Sequence, residues 1–274
     1  MSKRSAIAYL VLAICVFLLA GSYLQWKNKL NAIQHEANIA STKNSGEKND
    51  KTADHATEVD ERTRLQKLIR QQDEQVQNVF LNRFDKEQPV RFLIVGSTMM
   101  DEGKPGYAER LQNRLKKTYG EFIDITTHSF DGNSSDFIFS DLDKAMNFAK
   151  GYDVVFMEPF TLNNTGFVSV EDAQEHIRLF KEKLTGIVED AVLILQPAQP
   201  IPGANFYPSQ VAALQNFAAE ENIPYIDHWQ NWPNPDTEEF LQYVTEDHVP
   251  NAEGAEIWAS ALISYFIDES TEEK

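Results

Sequence analysis

The sequence predicts an α/β protein built on a five-stranded parallel sheet, preceded by a membrane-spanning segment and a polar stalk. Three patterns carry that expectation. Short apolar runs rich in β-formers alternate five times with helical periodicity from Val90 onward. Those runs are continuously apolar rather than alternating, as strands covered on both faces are. The first 60 residues hold one apolar run and then almost no large apolar side chain.

Lys3 and Arg4 precede the apolar run, which extends from Ala6 to Ala20 and on, less purely, to Trp26. About 20 such residues suffice to cross a hydrocarbon core as a helix. Tyr23 and Trp26 stand where interfacial aromatics belong. Residues 1–30 therefore read as an uncleaved signal anchor. The alternative is a cleaved signal peptide, with Ala20 and Ser22 as the small residues before the cut. Leu18-Leu19-Ala20-Gly21 resembles a bacterial lipobox, but Ser22 follows where lipid attachment needs Cys. Lys3 and Arg4 favour a cytoplasmic N-terminus, opposed by Lys27 and Lys29, so the body is expected outside the cytoplasm. Residues 31–60 are rich in Asn, Ser, Thr, Lys, Glu and Asp and read as a flexible stalk. In residues 61–88, Leu65, Leu68, Ile69, Val76, Val79 and Phe80 recur mostly at three-to-four spacing, the mark of an amphipathic helix. Such a helix either packs on the domain or lengthens the stalk.

The domain proper is expected over residues 89–274. Its strands are expected at Val90–Val95, Phe122–Thr127, Asp153–Met157, Ala191–Leu195 and, shortest, Pro224–Ile226. Its helices are expected at Tyr107–Tyr119, Ser135–Phe148, Val170–Val188, Ser209–Glu221 and Ala252–Phe266.

The charge is unevenly placed. The 274 residues carry a net charge of −17, of which residues 1–88 contribute +2 and residues 89–274 contribute −19. A body of that sign repels phosphate backbones and anionic lipid, so nucleic-acid binding is excluded as its function. The one cysteine, Cys15, excludes a disulfide framework and a Cys-based metal site. Neither a metal-ligand cluster nor a Gly-rich phosphate loop is visible, so no metal and no cofactor are expected. The domain is expected to be a monomer.

Ligands of open parallel sheets bind beyond the carboxyl ends of the strands. Gly96-Ser97-Thr98 follows the first strand. His128, Ser129, Asp131, Gly132 and Asn133 follow the second; Glu158, Thr161, Asn163 and Asn164 the third. Gln196 and Gln199 follow the fourth, and Asp227 and His228 the fifth. Glu246, Asp247, His248 and Asn251 precede the last helix. Hydroxyls, amides, carboxylates and histidines on one rim are the inventory for a hydroxyl nucleophile, an oxyanion hole and a base.

In the order and approximate spacing of these blocks, residues 90–266 resemble the SGNH/GDSL hydrolases. In that family the first strand ends in Gly-Asp-Ser, which carries the nucleophile. A Gly after the second strand and an Asn after the third donate to the oxyanion. An Asp-x-x-His pair followed by Pro-Asn and Gly opens the last helix. The matching positions here are Gly96-Ser97-Thr98, Gly132, Asn163, and Glu246-Asp247-His248-Val249-Pro250-Asn251 with Gly254. The resemblance implies a three-layer, flavodoxin-like SGNH fold and a membrane-anchored esterase or deacylase. Ser97 or Thr98 would attack the ester, with Ser97 favoured as the less hindered hydroxyl. His248 would take the proton, with Asp247 orienting it and Glu246 as the other candidate acid. Gly132 and Asn163 would hold the oxyanion, together with the backbone N–H of the Ser97 turn. The extracytoplasmic placement points to an acylated carbohydrate or small ester of the cell envelope.

Two motifs depart from the pattern. Aligned on Gly96, Ser97 stands at the family's Asp and Thr98 at its nucleophile. Aligned on Pro250-Asn251, Val249 stands at the catalytic His, and His248 falls one residue early. These offsets keep a second reading open: a catalytically degenerate domain that binds a cell-wall glycan or a partner protein, with Trp229 and Trp232 as platforms. Each residue also has a plainer reading. Ser97 and Thr98 would satisfy a turn, Gly132 would only turn the chain, Asn163 would cap a loop, and His248 would lie exposed. His228 reads as structural, and His35, His55 and His176 carry no function.

Overall fold

The computed structural model describes residues 60–271. The expected signal anchor and stalk lie outside the described residues. Among the described residues, no helix is long and apolar enough to cross a membrane.

The amphipathic stretch forms two helices, α1 (residues 60–68) and α2 (Glu74–Asp85). Between them Gln72 donates from its side chain to the Phe266 carbonyl (3.0 Å), and Tyr265 donates its hydroxyl to Asp73 (2.8 Å). These bonds to the end of the chain hold the break where one continuous helix would have pointed away. Leu65, Leu68, Ile69, Val76, Val79 and Phe80 are all buried in one core with the sheet. The two helices thus pack on the domain.

The remaining elements alternate as the apolar pattern requires. They are β1 (Val90–Ser97), α3 (Tyr107–Tyr119), β2 (Ile123–Phe130), α4 (Ser134–Ile138) and α5 (Leu142–Met146). After them come β3 (Val154–Met157), α6 (Thr161–Asn164), α7 (Val170–Ile187), β4 (Val192–Leu195), α8 (Tyr207–Glu220) and α9 (Ala252–Phe266). The strands form one parallel sheet in the order β2-β1-β3-β4. Phe92, Ile94, Val154, Phe156, Val192 and Ile194 face one core; Leu93, Val95, Val155, Met157, Leu193 and Leu195 face the other. Burial on both faces is why these strands read as unbroken apolar runs.

Two expectations are corrected. The sheet has four strands rather than five. Pro224-Tyr225-Ile226 lies beside β4 but makes a single bridge, Leu195 to Tyr225. Pro224 has no N–H to extend the ladder backward, and a 3-10 turn at His228–Asn231 ends it forward. The helix expected over Ser135–Phe148 is also broken. Asp141 caps α5 by accepting from the Lys144 N–H (3.0 Å), and Asn147 leaves α5 in the left-handed conformation. Side chains that bond their own backbone compete with a continuing helix.

Asp153, at the start of β3, is buried and ties the layers together. Its carboxylate accepts from the Arg91 N–H (2.8 Å), from the Arg91 guanidinium of β1 and from Arg83 of α2.

Candidate active site

In the order β2-β1-β3-β4 the chain leaves β1 for one side and returns to β3 on the other. The carboxyl ends of β1 and β3 therefore flank a topological switch point, where ligands of such sheets bind. Gly96 and Ser97 end β1, and Glu158 follows β3 directly.

Ser97 is wholly buried, and its hydroxyl lies beside the Glu158 carboxyl. Its N–H donates to Glu158 Oε2 at 2.9 Å. Thr98 opens the 3-10 turn Thr98–Asp101 and is half-buried. Of the two residues, Thr98 is the more exposed. The Ser97 amide, expected among the oxyanion donors, is occupied by a carboxyl.

Glu158 is buried, with 1% of its surface exposed. Its presence depends on Gly96, because a Cβ there would stand 2.9 Å from Glu158 Cβ. Burial pushes the carboxyl above the ordinary glutamate range, and contacts from Ser97, Phe160 and Thr161 offset part of that shift. Gln196 continues the same rung on β4, holding the Trp258 indole N–H on its Oε1 at 2.8 Å. The Tyr107 ring stacks on Trp258 at 4.1 Å, and Trp258 stacks on His228 at 4.5 Å. Burial, reinforced by the Glu158 charge, raises the Tyr107 and Tyr207 hydroxyls well above the usual tyrosine range.

His248 lies in a small hairpin that precedes α9. Val244 bridges Pro250, the Thr245 N–H donates to the Val249 carbonyl (2.8 Å), and the His248 N–H donates to the Thr245 carbonyl (3.0 Å). This is a three-residue loop whose third residue takes a left-handed conformation, and His248 does so at φ 60°. A non-glycine residue there costs about 1–2 kcal/mol. That turn moves the histidine one place relative to Pro250-Asn251. The hairpin is pressed onto α9 at Gly254, where a Cβ would stand 2.1 Å from the Tyr243 carbonyl oxygen.

The Gln199 amide joins the two motifs, donating to Met99 Sδ at 3.6 Å and to the His248 carbonyl at 3.4 Å. Gln199 thereby links the turn that holds Met99 to the backbone of the His248 hairpin. His248 Nδ1 is buried without a partner, and Asp247 and Glu246 are exposed in the turn. Neither carboxylate orients the imidazole in this conformation.

On the other flank, the block after β2 meets the block after β3 through Asn164 rather than Asn163. Asn164 Oδ1 accepts from the Ser134 N–H at 2.9 Å, and its buried Nδ2 has no partner. Asn163 is half-buried on the same short helix. Gly132 precedes the Asn133 cap of α4, where a Cβ would stand 2.7 Å from the Phe130 ring. His228 is structural: its Nε2 faces the Pro197 carbonyl at 2.9 Å, and Trp232 Nε1 donates to its Nδ1 at 3.0 Å. Trp232 is buried, so it offers no platform to a glycan.

Sequence reasoning placed Glu158 on the rim without a role. Its signal was a carboxylate directly after four apolar residues of a strand, opposite a glycine. Gln199 was likewise placed on the rim without a role, whereas Tyr107 and Tyr207 gave no local signal, because each acts through the packing of distant elements.

A doubly wound parallel sheet with a hydroxyl turn and a histidine hairpin at its switch point defines an α/β hydrolase-like architecture. The fold is that of the SGNH/GDSL hydrolases. No protein-family model matches the sequence, and no curated protein matches it. Solved structures do. One is a protein assigned to the lipolytic G-D-S-L family from Desulfitobacterium hafniense, at 19% identity and TM-score 0.52, covering 64% of this chain and 99% of that one. Another is a catalytic variant of the acetylxylan esterase Axe2 from Geobacillus stearothermophilus, at 16% identity and TM-score 0.52, covering 65% of this chain and 94% of that one. A third is an α/β hydrolase enzyme from the Lake Arreo metagenome, at 14% identity and TM-score 0.51, with 65% and 94% covered.

Proposed function

We propose that this chain is a carboxylic ester hydrolase of the SGNH type, held at the cell membrane by residues 1–30 with its domain outside the cytoplasm. Its substrate class is an acylated carbohydrate or small ester. Acetylxylan hydrolysis by a protein of the same fold supports that class. The reading rests on the Gln199 bridge, which joins the Thr98 turn to the His248 hairpin.

Thr98 is the nucleophile. Its Oγ1 attacks the ester carbonyl, and its proton passes to His248. The carbonyl π electrons move to oxygen, where the Gly132 segment and an Asn163 or Asn164 amide supply donors. The alkoxide leaves with the proton from His248. Water then repeats the sequence on the acyl-enzyme and releases the acid. Each oxyanion donor is worth about 3–4 kcal/mol of barrier. Ser97 is not the attacking group, because its amide is bound by Glu158 and its hydroxyl is enclosed.

One observation favours the binding-only alternative: His248 Nδ1 has no acid beside it. Hydrolysis of an aryl acetate and an acetylated xylo-oligosaccharide separates the two. The esterase reading expects Thr98→Val and His248→Ala each to lose about 10³-fold or more in kcat. Thr98→Ser should retain activity and Ser97→Ala should be mild. Wild-type turnover equal to that of Thr98→Val and His248→Ala would leave the binding domain as the function.

A further inference from the structure

Gly-Asp-Ser sequences carry a carboxylate on the first strand next to the nucleophile. Here β1 carries Ser97 at that position. The neighbouring strand brings a carboxyl to the same place. Glu158 follows β3, opposite Gly96, and reaches the Ser97 N–H at 2.9 Å. Gly96 leaves the space that this crossing needs. The carboxyl is enclosed by the ends of three further elements: Gln196 after β4, Tyr107 at the start of α3 and Tyr207 at the start of α8. The Phe160 and Thr161 backbones also approach the Glu158 carboxyl, the Tyr107 hydroxyl lies beside Gln196, and the Tyr207 hydroxyl lies beside the Ala198 backbone. Burying a carboxylate costs several kcal/mol unless its oxygens are hydrogen-bonded, and the Ser97 N–H supplies such a bond here.

We propose that Glu158 is a positioning residue of the nucleophile turn, which fixes the Ser97 amide so that Thr98 faces the rim and His248. This rests on the esterase reading for its catalytic consequence, but the hold on the turn does not depend on it. An ionised carboxylate accepts the N–H more strongly than a neutral carboxyl. A neutral carboxyl still offers its carbonyl oxygen, so the hold on the turn requires an acceptor rather than a charge. Tyr107 and Tyr207 stay neutral, with hydroxyls raised by burial. Gln196 and Ser97 do not titrate. Asp101, on the nucleophile turn, reaches Tyr107 electrostatically, and His248 stands on the far side of the turn.

Two measurements test the proposal, one with and one without catalysis. Glu158→Gln keeps an acceptor for the Ser97 N–H at every pH, and Glu158→Leu keeps the volume without one. Glu158→Leu should lower kcat for aryl acetate about 10–100-fold with KM nearly unchanged, while Glu158→Gln stays within about threefold at pH 8. Amide hydrogen exchange of the 95–99 segment should quicken about tenfold or more in Glu158→Leu and hold in Glu158→Gln. Unchanged exchange in Glu158→Leu would overturn the proposal whatever the activity. Quickened exchange in Glu158→Leu with no esterase turnover by the wild type would retain the positioning role and overturn the esterase reading.

Discussion

His228 is held neutral by everything around it. Its ring accepts from Trp232 on one nitrogen, faces the Pro197 carbonyl with the other, and stacks on Trp258. The neutral tautomer with the proton on Nε2 satisfies both bonds. Burial lowers its pKa to about 3. The unfolded chain binds a proton near pH 6.5, so the folded state binds fewer protons between those values. This site's contribution to stability is full above about pH 6.5 and is lost as pH falls toward 3, about 5 kcal/mol in all, of which roughly half is lost by pH 4.5. Denaturant unfolding at pH 7 and pH 4.5 should show that loss, and His228→Phe should flatten it. The variant should also cost about 2–4 kcal/mol at pH 7, since it orphans the Trp232 N–H and the Pro197 carbonyl. A wild type equally stable at both pH values would contradict this. The structural role of His228 was legible from its place after an apolar strand. Glu158 was legible only as one more polar residue on the rim. Its partner is the amide of a residue 61 positions away, which no local pattern announces.

Secondary elements were legible where periodicity was long. Tyr107–Tyr119 and Ala252–Phe266 fall where the apolar spacing puts them. Short elements were not. The fifth strand reduces to one bridge because Pro224 cannot donate, and the 135–148 helix breaks where Asp141 recaps the chain. The attachment of α1 and α2 was undecidable from sequence, since an amphipathic face does not name its partner. Their burial makes a sharp expectation. A fragment of residues 60–271 should fold cooperatively as a monomer, and one of residues 89–271 should not. The shorter fragment exposes the core patch that Leu65, Ile69, Val76 and Phe80 cover, and Phe80→Ala alone should cost about 3–5 kcal/mol. Equal melting of both fragments would refute the assignment. Asp153 pins α2 to β1. Burial alone would raise its pKa, but the bonds from Arg91 and Arg83 outweigh it and leave it below the usual range. Its stability contribution is therefore present above about pH 4 and lost as pH falls through the lowered folded value. Asp153→Asn should cost about 3 kcal/mol at pH 7, with a smaller penalty in acid, as thermal melts at pH 7 and pH 3.5 would show.

For the molecule as a whole, the charge division and the apolar N-terminal run argue for a tethered acidic domain outside the cytoplasm. Protease added to intact cells should then release the domain by cutting within residues 31–60, and full protection until lysis would reverse the orientation. Chemistry at the switch point is read by an active-site-directed fluorophosphonate. The probe reacts only with a hydroxyl activated by a base and served by an oxyanion hole. Tryptic digestion after Arg91 and Arg110 (the Lys104-Pro105 bond resists cleavage) yields one peptide holding both Ser97 and Thr98, and fragmentation separates them. The account predicts a single adduct on Thr98, lost in His248→Ala. No adduct on the wild type, or one on Ser97 instead, would contradict it.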